Sequence, residues 1–123
     1  MKQTSSLAAA IFLAMYPMIQ AQADDDLSTS VDVLAMNVAT IRVISENCRL
    51  EIDPMLEGRV FEALAAVAEI QMSDLVSLFL QRHRNEVHAR GRKCYPGDVD
   101  HLKSLTNIYQ MSIANLKELV AAR

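Results

Sequence analysis

Apolar residues recur along most of this chain at intervals of three and four, the spacing that places side chains on one face of an α-helix. Leu34, Val38, Ile41 and Ile44/Ser45, with Val31 one turn earlier, form the first such stripe. Thr29 followed three positions later by Asp32 fits a capping box, so the spacing predicts a first helix from there to about Glu46. A second stripe, Leu56, Val60, Leu64 and Val67 flanked by Phe61, follows Asp53-Pro54. Asp is a good helix cap, and Pro in the first turn loses no hydrogen bond. Ser73-Asp74 restarts the pattern as a cap with a first-turn acid, giving a third helix through Leu75, Val76, Phe79, Leu80 and Val87. The break between the second and third helices at Gln71-Met72 is weak enough to read as a kink. Gly91 is placed to end helix three in a left-handed conformation. Tyr95-Pro96-Gly97-Asp98 then reads as a turn and a cap before the longest stripe, Leu102, Leu105, Tyr109, Ile113, Leu116 and Val120. No segment alternates apolar and polar positions as a half-buried strand would. The expected fold is therefore all-α, a four-helix bundle in a single domain.

The amino-terminal pattern is of another kind. Lys2 precedes an apolar run from Leu7 to Met18, and Ala21-Gln22-Ala23 supplies the small residues a signal peptidase requires. Asp24-Asp25-Asp26 then opens a hydrated segment. The run is shorter than the ~20 apolar residues a membrane span needs. Residues 1–23 are expected to be a cleaved secretory signal peptide and residues 24–123 the helical domain, in a periplasm or outside the cell. No second apolar run is read as a span, so stable membrane insertion is not expected.

Composition narrows the function. Of 123 residues 51% are hydrophobic and 22% charged, enough apolar material to fill a core and too much for disorder. Removing residues 1–23 takes away only Lys2, leaving 11 basic and 15 acidic side chains, a net of −4. That balance argues against nucleic acid as a partner, because binding phosphates requires a basic excess. Two cysteines in an exported chain are expected to pair. In an up-down-up-down bundle the connections holding Cys48 and Cys94 lie at the same end, so one disulfide joins the helix 1–2 connection to the helix 3–4 connection. Closing so long a loop contributes about 4 kcal/mol in the chain-entropy model. The spacing suits neither a Cys-X-X-Cys redox pair nor a zinc site.

The most uneven charge runs from Arg82 to Lys93, with five of the eleven basic residues and two of the three histidines against the single acid Glu86. Arg84, His88 and Arg90 suit the carboxyl end of a helix, whose dipole favours cations. Arg82, Arg92 and Lys93 exceed that need. The six form the candidate binding patch, suited to an acidic protein surface. His83 and His88 are turned about 140° apart on a helix, which does not make a metal pair. Asp98 and Asp100 read as a cap and a first-turn acid. Glu57, Glu62 and Glu69 read as solvated face, and Met36, Met55, Met72 and Met111 as core filler. No phosphate loop, nucleophile elbow or zinc motif occurs, so no catalytic residue, metal or cofactor is nominated.

A signal peptide followed by about a hundred helical residues and one long-range disulfide is similar in plan to small acid-activated periplasmic chaperones and to periplasmic immunity proteins that block secreted toxins. The likeness is one of plan and carries no functional residue across. It implies a small exported binding protein acting through protein–protein contact. The alternative is a small secreted helical enzyme of the chorismate-mutase kind, with an arginine-lined anion site.

Overall fold

A computed structural model describes the backbone of residues 4–123 and the side chains of residues 25–123. The apolar leader and its Ala21-Gln22-Ala23 site lie outside the side chains described. Four helices make up the chain: α1 (Thr4–Cys48), α2 (Leu56–Leu64), α3 (Met72–Arg90) and α4 (Asp98–Ala121). No strand occurs among the described residues.

The arrangement centres on α1. Leu27, Val31, Leu34, Val38 and Ile41 are buried at alternating steps of four and three, and Ala35, Ala39, Val43 and Ile44 widen that stripe around much of the helix. A helix apolar over so wide an arc has to be covered on more than one side. It is flanked by α3 and α4, whose backbones never reach packing distance of each other, while the short α2 touches all three long helices. The core stripe of α4 matches the periodicity: Leu102, Leu105, Tyr109, Ile113 and Leu116 are all buried. Leu34, Leu64 and Leu116 are fully enclosed, each worth roughly 1.5–3 kcal/mol in apolar transfer.

Polar contacts tie the helices together. The Tyr109 hydroxyl, buried in the core, donates to the Leu56 carbonyl at 2.9 Å and pins the start of α2 to the middle of α4. Burial pushes this phenol above its ordinary value. Arg42 on α1 donates from Nε and Nη2 to the two Glu57 carboxylate oxygens on α2, at 2.8 and 2.5 Å. Arg82 on α3 reaches Asp32 on α1 at 3.0 Å. Phe61 and Phe79 meet edge to face at 5.2 Å, joining α2 to α3.

Several local expectations are corrected. The chain is already helical before Thr29, with Leu27 and Ser30 buried, so Thr29 caps nothing and Asp32 serves instead as the partner of Arg82. Asp53 does cap, but it caps a turn: its carboxylate accepts from the Met55 amide at 2.9 Å and α2 starts at Leu56. At α3 the Gln71 carbonyl takes the amides of Asp74 and Leu75, at 3.1 and 3.2 Å, so Ser73 lies inside the first turn and is not its cap. α2 ends at Leu64, and residues 65–71 form successive turns that carry Val67 inward outside any helix. α2 and α3 are therefore separate helices. Glu57 is half-buried and ion-paired. The four methionines are not core filler: Met36, Met55, Met72 and Met111 are all exposed, as are Val76 and Leu80 of the α3 stripe.

Residues 25–48 contain an 18-residue window of mean hydropathy 1.4, long and apolar enough to cross a membrane by length and composition, contrary to the expectation that no such run follows the leader. Half of that window is buried against the other helices. A central helix flanked on two sides acquires that composition for packing reasons alone.

Burial pushes the Glu57 carboxyl up, but the Arg42 hydrogen bond, a backbone hydrogen bond and the charges of Arg42 and His83 outweigh it, so its pKa falls below the ordinary 4.5. A carboxylate with a depressed folded-state pKa stabilises the fold above its unfolded value and loses that contribution as pH falls through the folded one. Urea unfolding should therefore show stability declining below about pH 4.5. In Glu57→Gln that part of the decline should disappear, while stability at pH 7 drops by about 1–3 kcal/mol because Arg42 loses its partner. An unchanged acid limb would show that this pair contributes nothing to it.

Candidate functional site

The predicted patch lies where the ends of α1 and α3 are fastened together. Cys48, the last residue of α1, is bonded to Cys94 in the α3–α4 connection, with their Cα atoms 4.9 Å apart. Beside it, the Asn47 side-chain amide donates to the carbonyls of Gly91 at 3.0 Å and Lys93 at 3.4 Å. Gly91 ends α3 with a positive φ of 73°, but its ψ of −159° lies outside the left-handed helical region expected of it. That conformation belongs essentially to glycine.

Asp98 is drawn inward and does not cap α4; the residue preceding the helix is Gly97, at φ 88°. One Asp98 oxygen accepts from the Tyr95 amide at 2.9 Å and the other lies 3.5 Å from Arg90. Arg90 also donates to Glu86 at 2.6 Å. The carboxylate thus closes the Tyr95–Asp98 turn and links it to the last residue of α3. Asp98 also lies close to the two cysteine sulfurs. Because those sulfurs are bonded to each other, the trio offers no thiolate to a metal.

The six candidate residues divide by what they touch. Arg82 and Arg90 are held by Asp32 and by Glu86 with Asp98, and both belong to the scaffold. Lys93 lies over the Tyr95 ring at 5.6 Å. Arg84 and His88 are exposed one turn apart on α3, and Arg92 is exposed in the connection that follows.

Arg49, which composition and spacing did not single out, joins this end. It follows Cys48 with φ at 55°, and the Leu50 amide donates back to the Ser45 carbonyl at 2.9 Å, closing α1 in a Schellman-type turn. Glycine is the residue usually found there, so the arginine is held in a conformation that costs about 1 kcal/mol. Its nearness to Cys48 was the only trace in the sequence. A hollow of about 450 Å³ opens here, lined by Glu46, Asn47, Arg49, His83, Val87 and Arg92. Within it the His83 Nε2 is 3.5 Å from a Glu46 oxygen. A hollow of similar size, 480 Å³, between residues 51–56 and α4 sets Glu51 and Asp53 against Lys103 and has no cationic bias.

Relieving the backbone at Arg49 gives a direct check. Arg49→Gly should raise stability by about 0.5–1 kcal/mol in chemical denaturation, whereas Arg49→Ala should bring no gain. Equal stabilities for the two variants would contradict the assigned backbone strain.

No known protein family matches the chain, and neither a curated protein nor a solved structure resembles it closely enough to be informative.

Proposed function

We propose that residues 24–123 are a small exported helical binding protein, periplasmic or secreted, arranged as a four-helix bundle and freed by cleavage after Ala23. It acts through protein–protein contact, in the manner of an inhibitor or immunity protein or of a small chaperone, and its partner presents an acidic surface. The observation that carries this reading is the exposure of Arg84, His88 and Arg92 at the one end of the molecule fastened by the disulfide. A fastened surface loses little conformational entropy on meeting a partner. That favours an inhibitor-like contact over a chaperone, which has to loosen. The enzymatic alternative gains little: Arg42, Arg82 and Arg90, which reach between helices, are each engaged by a carboxylate.

Export is tested by intact mass. Material secreted by a bacterial host should lack residues 1–23 and weigh two hydrogens less than the dithiol; a retained leader would refute the proposed processing.

Partner binding is tested by capture from periplasmic extract, followed by affinity measurement over a range of salt concentrations. Arg84, His88 and Lys93 replaced together by Gln should weaken binding, mainly through slower association, and flatten its salt dependence while leaving thermal stability nearly unchanged. Arg82 is unsuitable for this test because its loss strands Asp32. Small-molecule turnover that persists without any captured protein would overturn the binding reading.

A further inference from the structure

The hollow at the fastened end has a property that the exposed patch beside it lacks: two arginines from distant parts of the chain line one space, and among the described residues neither is paired with a carboxylate. Of the eight arginines in the sequence, Arg42, Arg59, Arg82, Arg90 and Arg123 each pair with a carboxylate. In a chain with more acids than bases that is the expected outcome. Arg49, Arg84 and Arg92 pair with none among the described residues, and of these three Arg49 and Arg92 border the hollow.

The backbone around them is fixed from several directions. Cys48 immediately precedes Arg49, and Cys94 lies two residues after Arg92. The carbonyls on either side of Arg92, those of Gly91 and Lys93, both accept from Asn47. Arg49 itself stands at a positive φ where glycine would relieve the strain. Such strain is retained at sites where the side chain is needed. Val87 gives the hollow an apolar wall, and Glu46, the carboxylate in its lining, lies 3.5 Å from His83 and pairs with neither guanidinium.

From this convergence we infer that the hollow between Arg49 and Arg92 is a carboxylate-binding site. Planar guanidinium forks match a carboxylate in shape and charge. A phosphate dianion would satisfy the arginines too, but it would face stronger repulsion from Glu46 in the wall. The carboxylate has two possible sources: a free dicarboxylate, or an acidic side chain or chain terminus of the protein partner proposed above. In the second case the site rests on that proposal.

The test is a titration of the intact, oxidised protein followed by backbone amide shifts in NMR, using succinate, a short Asp/Glu peptide and inorganic phosphate as probes. At least one carboxylate probe should bind saturably and shift amides of residues 46–49 and 91–94. Both Arg49→Gly and Arg92→Gln should weaken that binding by about tenfold or more, the loss expected for a charge-assisted bidentate contact. Arg49→Gly is expected to fold at least as well as the parent, so its loss of binding is not a loss of structure. Lys103→Gln, in the other hollow, should leave it unchanged. Tighter binding of succinate identifies a free acid as the ligand; tighter binding of the peptide identifies a protein group. The absence of saturable binding by either carboxylate, undiminished binding in both arginine variants, or a preference for phosphate would overturn the assignment. A captured partner without carboxylate binding removes this site alone, whereas carboxylate binding without a partner removes only the protein-partner reading.

Discussion

The burial of α1 is the constraint on which the rest of the molecule depends. Its apolar residues cover too wide an arc for one neighbour to shield, so α3 and α4 take opposite flanks and α2 closes part of the remaining gap. This explains why α3 and α4 do not pack on each other, why α2 can be only nine residues long, and why residues 25–48 have the composition of a membrane span. Every other helix packs against α1. The polar ties follow the same logic: Arg42 to Glu57 and Arg82 to Asp32 each join α1 to one of its covering helices.

In a chain organised around one central helix, the flanking helices are held chiefly by what each shares with the centre. At one end the covalent bond from Cys48 to Cys94 supplies that hold, and Asn47, Gly91 and Asp98 shape the connection it anchors. The disulfide's contribution, about 4 kcal/mol in the chain-entropy model, is large beside the 5–15 kcal/mol that separates folded from unfolded domains. Such an end is fixed by covalent and hydrogen-bonded ties, the property that the proposed contact surface would require.

The positive charges serve two purposes. Arg82 and Arg90, which in the sequence look like members of one basic surface, are taken up by ion pairs that tie α3 to Asp32 of α1 and to Asp98 at the start of α4. Arg84, His88 and Arg92 stay at the surface, and Arg49 joins Arg92 from the far side of the disulfide. The proposed binding face is thus smaller than the charge run suggests and extends across two elements.

The four apolar stripes, the pairing of the two cysteines and the Tyr95–Asp98 turn were legible in the sequence, because helical period, oxidation state and turn chemistry are local or compositional properties. Their limits were not legible. The early end of α2 has no glycine or proline to announce it and follows from Val67 being drawn into the core. The exposure of Met36 and Leu80 reflects which sides of α1 and α3 remain uncovered, and periodicity cannot report that. Thr29 and Ser73 have the chemistry of caps but sit inside helices, Thr29 well within α1 and Ser73 after the Gln71 carbonyl that takes the first amides of α3. Asp98 was recognisable as an acid at a helix start, but its turn inward toward Arg90 depends on where α3 ends in space. Arg49 was invisible as a site residue because its partner in the hollow is 43 positions away. Sequence determined the helical periodicity and the covalent link, both set by neighbouring side chains or by residue type; tertiary structure decided which faces are covered and which cations remain unpaired among the described residues, because that depends on which groups folding brings within reach.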